Sequence, residues 1–518
     1  MKKISLFLAS ILMLVGCASG QGQEQEESLS NNQTSADSSE NTEVDPYDFS
    51  EHLTISFLTT GSPVSEENNA IYEYIEDKFN ITMEWTYYDR DNFGEYFNTL
   101  VASGNVPDVW RFGYNDPKEY IDWAERGILY DVKPLLDDYP GLNDHIPEQA
   151  WEQLNPPGHY FGVPEYRLQT RNMLAIRQDW LDNLGLEVPD TIEDFYEVAY
   201  AFAHDDPNGT GMNDTIGFSS IGLFDDVTGT AWRGGAFGLA RDWIDIDGQL
   251  VPYQAQLNEL EEYIGFMRKA YEEDVLDKDF MLHSDWRDAN DRLSMGIAGI
   301  EYVNPNSVHR KEAEDIKEID PDAELTFFIP PAGPDGSRTT PSRPSYFKSV
   351  LYSDMSEVKA RRLLALFEWN VTEGYEITRH GLEDIHWVQN DDGTYEQLDK
   401  WDEDEPSTIG TNILRPWNPL HKSYWWLGED FLEELAGYYE TNEEYYWESD
   451  NPNLISETDL NQGAQLNAEF EQILTEIVVG RREISDVKTA VDQWLNNGGQ
   501  DIIDEMNEQY KVYNEERS

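Results

Sequence analysis

Leu53-Thr54-Ile55-Ser56-Phe57, running on to Thr59-Thr60-Gly61, alternates apolar and polar residues and then breaks, which predicts a strand ending in a loop. Ile71 to Phe79 follows with helical spacing, and Ile81 to Tyr87 predicts the next strand. Strand, helix, strand is the start of a parallel α/β sheet, where ligands collect beyond the carboxyl ends of the strands. Val106-Pro107-Asp108-Val109-Trp110-Arg111-Phe112 predicts a further short strand whose end carries Trp110 and Arg111. Downstream, Thr191 with Asp194 forms a helix start, the hydroxyl capping free amides and the acid facing the positive end of the dipole. Phe195, Val198, Ala199 and Phe202 then recur on one helical face, as do Leu260, Ile264, Met267 and Tyr271. No repeat at a solenoid period interrupts this alternation of strands and helices.

The chain has 518 residues, more than one hydrophobic core supports, so two α/β lobes are expected, with the chain crossing between them more than once. Lys2 and Lys3 followed by the apolar run Ile4 to Val15 describe a secretory signal, too short to span a bilayer as a stable helix. Leu14-Val15-Gly16-Cys17 resembles the lipobox of bacterial lipoproteins, in which the cysteine becomes the first residue and its sulfur carries diacylglycerol. That resemblance implies lipidation of Cys17 and a site on the outer face of the cell membrane. With its one cysteine committed to lipid, the chain forms no disulfide. The domain reading is therefore a signal peptide at 1–16, a lipidated Cys17 with a disordered acidic linker at 17–50, and a body at 51–518. Within the body, one lobe is expected at about 51–165 plus part of 330–400. The other takes about 170–325 plus part of 400–518.

Charge is extreme: 36 Lys and Arg against 103 Asp and Glu give −67. Such a surface repels nucleic acid and anionic lipid, which argues against polyanionic partners. It suits high external salt or alkali, because screening over a few ångströms at molar salt removes the self-repulsion. Aromatic residues reach 13%, with 16 Trp and 29 Tyr, a supply that suits stacking on sugar rings.

Several separated stretches are similar to one family. Gly158-His159-Tyr160-Phe161-Gly162-Val163-Pro164 resembles the Gly-Lys-x-Tyr-Gly-x-Pro segment of extracellular solute-binding proteins that deliver sugars to ABC importers. Arg177-Gln178-Asp179-Trp180-Leu181-Asp182-Asn183-Leu184-Gly185 resembles the Arg-x-Asp-Trp-Leu-x-x-Leu-Gly stretch that follows it. Gly381-Leu382-Glu383-Asp384-Ile385-His386-Trp387 is similar to a segment of the long lipoprotein branch, with Asp384 where Gly is usual. Gly498-Gly499-Gln500-Asp501 to Asn507-Glu508-Gln509-Tyr510 fits the same branch. The resemblance implies two α/β lobes around a hinge, closing on an oligosaccharide, and a membrane permease that receives it.

Asp206-Pro207-Asn208-Gly209-Thr210-Gly211-Met212-Asn213-Asp214-Thr215 places oxygen side chains at alternate positions with Gly211 at the sixth, like the first part of an EF-hand loop. Asp206, Asn208, Thr210, the Met212 carbonyl, Asp214 and Thr215 could supply six oxygens to a structural calcium ion. Only two of these carry formal negative charge, and a plain Asx-rich turn that needs no ion is the alternative.

Sugar recognition needs flat apolar faces with a few charged or amide groups for vicinal hydroxyls. Trp110 and Arg111, Glu165 with Tyr166 and Arg167, and Trp232 with Arg233 offer that pairing. So do Trp286 beside Arg287, and Glu301 and Tyr302 with Asn304. Tyr346, Glu383, His386, Trp387, Trp417, Trp425 and Trp426 complete the candidates. A glycoside hydrolase or polysaccharide lyase using two carboxylates is the alternative, but among 103 acids two neighbouring ones carry no information. No Gly-x-Ser-x-Gly elbow, His-Glu-x-x-His run or phosphate loop occurs. The sequence is therefore read as a monomeric, non-catalytic, lipid-anchored binding protein for an oligosaccharide.

Overall fold

The computed structural model describes residues 45–517 apart from 61, 89–92, 114–116, 156–157, 166–171, 225–229, 240–241, 284–285, 309–312, 342–346, 392, 421–427, 448 and 453. Cys17 and the linker lie outside the described residues. Among the described residues no helix is long and apolar enough to cross a membrane.

The first sheet runs in the order Ile81–Tyr87, Leu53–Thr59, Val109–Gly113, Phe347–Leu351, Gly162–Glu165. Its first three strands are parallel, in keeping with the strand-helix-strand reading. The helix between the first two, Ala70–Phe79, starts where Asn69 accepts from the amides of Ile71 and Tyr72, and it buries Ile71, Tyr72, Ile75 and Phe79. Strand Val109–Gly113 begins later than the apolar run at Val106 predicts. Asp108 is used instead as a clamp, its carboxylate accepting from the amide and hydroxyl of Ser56 at 2.9 Å each. Phe347–Leu351 enters from far along the chain and pairs antiparallel with Val109–Gly113 on one side and Gly162–Glu165 on the other. Apolar side chains cover both faces of this sheet. Ile55, Ile75, Leu363 and Phe367 belong to one cluster; Phe97, Trp110, Phe112 and Trp123 belong to the other.

The second sheet runs in the order Leu325–Phe328, Met173–Arg177, Ala298–Val303, Ile216–Phe218. Only the last pair is parallel. Ala298–Val303 is buried along its whole length, as a central strand covered on both faces should be. Helix Ile192–His204 has the expected capping box between Thr191 and Asp194. It lies so close to the sheet that a Cβ at Gly299 would meet the Phe202 ring at 2.1 Å. Helix Leu257–Glu272 and the carboxyl-terminal helices Ala464–Val478 and Asp486–Trp494 complete the same core through Leu260, Met267, Phe470, Leu474 and Trp494.

The Arg177 to Gly185 stretch joins sheet to helix. Arg177 is 1% exposed, sits 4.6 Å from the Trp180 ring, and donates to both oxygens of Asp179 and to Asp320. Gly185 closes helix Gln178–Leu184 in the left-handed conformation at φ 67°.

Each lobe is built from chain segments that come before and after a visit to the other: the first sheet takes its late strand from Phe347–Leu351, whereas the second sheet is continuous and its lobe is completed by late helices. Residues Leu53–Glu165 form the first lobe, Met173–Phe328 the second, Phe347–Leu414 the first again, and Glu429–Arg517 the second again. Helix Pro406–Ile413 packs through Ile409 and Ile413 in the first core, so the last crossing follows Leu414 rather than residue 400.

Candidate ligand site

At the carboxyl edge of the first sheet, Arg111 and Ser349 are cross-strand neighbours, and Glu165, two residues beyond the Val163 that pairs with Ser349, meets both from the next strand. Glu165 is fully buried and Arg111 nearly so. Arg111 Nε donates to Glu165 Oε2 at 2.6 Å, and Ser349 Oγ lies 3.2 Å from Oε1. Arg111 Nη2 is 2.6 Å from the same Oε2, an ion-pair contact without hydrogen-bond direction. The guanidinium rests 4.6 Å from the Phe347 ring. Trp110, next along the strand, points to the opposite face, where it is wholly buried against Phe97 at 4.5 Å. No ring face of Trp110 is open to a sugar, which corrects its pairing with Arg111. The same face holds Lys348, 3.2 Å from the centre of the Tyr120 ring, with burial holding its amine well below the usual lysine range. Half-buried Trp417 donates from Nε1 to Pro164 O.

The carboxyl edge of the second sheet carries another buried pair. Arg233 and Glu301 are each 2% exposed. Glu301 lies one residue beyond Ile300, which pairs with Phe218 at the end of its parallel strand. Arg233 Nη2 donates to Ser220 Oγ at 2.7 Å, and its guanidinium lies 5.2 Å from the Phe218 ring and 5.4 Å from the Trp232 ring. Burial pushes the Glu301 carboxyl up to about 7, opposed by Arg233 and by the amides of Tyr302 and Ser219, and reinforced by Asp277. Glu301 Oε2 and Arg233 Nε have no hydrogen-bond partner among the described residues. Trp232 is not a sugar platform, because it is wholly buried 5.2 Å from Phe195. Tyr302 is likewise part of the second core. Asn304 accepts from the amide of Asn306 and approaches Tyr439 Oη at 3.5 Å. Sequence reading missed Ser220, Ser349 and Asp277, the last accepting from Ser219 Oγ at 3.1 Å and Arg292 Nε at 2.9 Å. Single serines and one acid among many leave no sequence signal.

Gly381 to Trp387 is a structural strap. His386 is fully buried; its Nδ1 accepts from the Leu382 amide at 2.8 Å, which leaves Nε2–H to donate to Asp404 Oδ2 at 3.1 Å. Asp404 in turn accepts from the Ala70 amide and from Lys400. A Cβ at Gly381, whose φ is 87°, would meet the His386 ring at 2.4 Å. Asp384 has φ 64°, the left-handed conformation that explains why Gly is usual there. His386 is therefore a brace rather than a sugar contact; Glu383 is exposed, and half-buried Trp387 donates to Gly381 O. Tyr166, Arg167, Tyr346, Trp425 and Trp426 lie outside the described residues, as does the side chain of Trp286.

In the loop from Asp206 to Thr215 the oxygen side chains converge. Thr210 Oγ1 is 3.1 Å from Asn208 Oδ1 and 3.3 Å from Asp214 Oδ1, and Asn208 Nδ2 donates to Asp214 Oδ1 at 3.0 Å. The Gly211 amide holds both oxygens of Asp206 at 3.0 Å. Thr215 is turned away: its buried hydroxyl donates to Phe202 O at 2.7 Å, so it is not free to ligate. Among the described residues no group of three or more His, Cys, Asp or Glu is placed to hold a metal ion. The donors that fit calcium are thus two carboxylates, Asp206 and Asp214, with neutral oxygens from Asn208, Thr210 and Met212.

No family model matches the chain. It is similar, at 26% identity over 460 residues, to the polygalacturonan/rhamnogalacturonan-binding protein YtcQ of Bacillus subtilis (strain 168), covering 86% of this chain and 88% of that one. Lipoprotein LipO of the same organism is 26% identical over 446 residues, 82% of this chain and 86% of that one. The fructooligosaccharide ABC transporter substrate-binding protein FusA of Streptococcus pneumoniae serotype 4 (strain ATCC BAA-334 / TIGR4) is 30% identical over 256 residues, 46% of this chain and 47% of that one. Among solved structures, the HMO-binding solute-binding protein of Bifidobacterium longum infantis ATCC 15697 superimposes with a TM-score of 0.69 at 18% identity, covering 89% of this chain and 99% of that one. An EF-hand mutant of S. pneumoniae FusA in complex with fructo-nystose gives 0.64 at 20% identity, covering 89% and 100%. The resemblance to extracellular solute-binding proteins and the two-lobed α/β fold it implies are both borne out.

Glu301 generates a stability prediction. Its folded-state pKa of about 7 lies above the unfolded value, so its favourable contribution is complete below about pH 4.5 and is lost as pH rises through 7. Glu301→Gln removes this loss. Relative to the variant, the wild type should weaken on the order of 3 kcal/mol between pH 5 and pH 8. Calorimetric melting curves of both proteins across that range check it, and parallel curves would show that Glu301 does not titrate there.

Proposed function

We propose that the chain is the lipid-anchored substrate-binding subunit of an ABC importer, taking up an oligosaccharide between its lobes and passing it to a membrane permease without catalysis. The observation that carries this reading is similarity over most of the chain to a protein named for binding polygalacturonan and rhamnogalacturonan and, over nearly half of it, to one named for binding fructooligosaccharides. Two sheets whose carboxyl edges both end in buried charged pairs support it, since those edges are where an α/β protein receives a ligand.

The mechanism is a population shift. Open and closed arrangements of the lobes interconvert, a sugar that touches both favours the closed one, and the permease reads closure. Among the described residues, Arg233, Glu301, Asn304 and Trp417 are the contacts we assign to the sugar. Arg111 and Glu165 satisfy each other and position the edge on which the ligand lies. The Asp206 loop would hold a structural calcium through Asp206, Asn208, Thr210, the Met212 carbonyl and Asp214, fixing the turn between helix Ile192–His204 and strand Ile216–Phe218. Cys17, lipidated, would keep the protein on the outer face of the cell membrane, since two acyl chains give firm anchoring.

A panel of kestose, xylotriose, cellotriose and trigalacturonate should include at least one sugar that raises the melting temperature by several degrees at millimolar concentration, the shift expected of a ligand far above its dissociation constant. Release of reducing ends from that sugar at enzymatic rates would replace the transporter reading by the hydrolase one. Cys17→Ser should move the protein from the membrane fraction to the medium with binding intact. Protein stripped of divalent ions should gain several degrees on adding calcium, with a binding isotherm by titration calorimetry; neither heat nor shift would remove the ion from the loop.

A further inference from the structure

A buried arginine and glutamate lie near the carboxyl edge of each sheet, Arg111 and Glu165 both on strands, Arg233 on helix Thr230–Gly235 beside Glu301 on its strand, and the two sets differ in one respect. In the first lobe the pair is closed. Glu165 Oε2 takes Arg111 Nε at 2.6 Å and Oε1 lies 3.2 Å from the Ser349 hydroxyl. In the second lobe the pair is open. Glu301 Oε2 and Arg233 Nε are both buried and both without a partner among the described residues. Glu301 has only a long contact from the Tyr302 amide to Oε1 at 3.4 Å, and the Ser219 amide also faces it.

A buried acceptor and a buried donor left unmade are each costly, because folding has taken them from water without a replacement. A group that supplies one hydrogen-bond donor and one acceptor on neighbouring atoms would satisfy both. Adjacent hydroxyls on a sugar ring are such a group: one O–H donates to the carboxylate oxygen while the next oxygen accepts from the guanidinium. Neither needs a charge of its own. The guanidinium plane is held ready, with Nη2 tied to Ser220 Oγ at 2.7 Å and the rings of Phe218 and Trp232 against it.

We propose that Glu301 and Arg233 form the hydroxyl-pair anchor of the ligand site, the point at which the second lobe specifies a vicinal diol. The proposal rests on the oligosaccharide-binding reading. It separates two pairs of equal standing in the sequence: Arg111 with Glu165 braces the fold, while Arg233 with Glu301 reads the ligand. Asp277 is the other charged group acting on Glu301, and Arg292 neutralises its far side.

The test uses titration calorimetry at pH 8 with the strongest binder from the panel of kestose, xylotriose, cellotriose and trigalacturonate. Glu301→Gln replaces an acceptor oxygen by an amide nitrogen or presents a weaker one. Arg233→Lys removes the directed Nε donor while keeping the charge. Each variant should bind that sugar at least ten-fold more weakly. Glu301→Gln should melt no lower than the wild type, which separates loss of affinity from loss of fold. Affinity within two-fold of wild type in Glu301→Gln would overturn the assignment and leave oligosaccharide binding standing. If no member of the panel binds the wild type, the oligosaccharide reading falls, and the anchor falls with it.

Discussion

The strand Phe347–Leu351 holds the first lobe together. It lies between Val109–Gly113 and Gly162–Glu165, and those two strands have no pairing with each other. Without it, Gly162–Glu165 would be a lone edge and Glu165 would lose Ser349. This strand reaches its place only after the chain has built the larger part of the second lobe. The first lobe therefore cannot complete its sheet as an independent unit, and its non-local pairing predicts slow folding relative to a chain of local contacts. The same threading makes the lobes mechanically linked by three segments rather than one.

That constraint gives the buried charges their meaning. Removing an arginine and a glutamate from water costs several kcal/mol per ion unless geometry and further hydrogen bonds offset it. Arg111 and Glu165 have such geometry, and they fasten together strands that the inserted strand brings into register. Arg177 achieves the same at the start of the second lobe with Asp179 and Asp320. Arg362 is satisfied differently: it donates to the carbonyls of Phe79, Asn80, Asp48 and Glu51, with Phe49 beneath it. Arg233 and Glu301 are held less completely: Arg233 Nε and Glu301 Oε2 are buried without a hydrogen-bond partner among the described residues, whereas the unpartnered Arg111 Nη2 still lies 2.6 Å from Glu165 Oε2.

Much of the fold was legible because it rests on local chemistry. The capping box of Thr191 and Asp194, the buried stripe from Phe195 to Phe202, and the opening strand-helix-strand all follow from spacing within a dozen residues. The site was less legible, for a geometric reason. Trp110 and Arg111 are neighbours in sequence, but successive residues of a strand face opposite sides of the sheet, so the aromatic and the guanidinium cannot serve one ligand. Trp232 and Arg233 are neighbours on a helix, where consecutive side chains point about a quarter turn or more apart and do not face each other. The Gly381 to Trp387 segment misled in another way. Its residue types suit sugar binding, but the glycine is needed for the approach of the His386 ring and the histidine for tying Asp404 to the start of helix Ala70–Phe79. A motif can be retained for its fold as readily as for its ligand.

The Arg362 clip decides how the first described residues are held. Its four carbonyls join the first residues of the body to the end of helix Ala70–Phe79 and the turn before strand Ile81–Tyr87, the amino edge of the first sheet. Tyr47 adds a hydrogen bond to Glu368 at 2.7 Å, and Pro46 O accepts from Tyr139. Asp48 and Glu51 are therefore fastened at the edge opposite Arg111 and Glu165. Ligands approach the carboxyl edges, so this fastening leaves their path open. The clip is built on the lobe that the inserted strand locks, so the first residues of the body are fastened to the first lobe and not to the segments that cross between lobes.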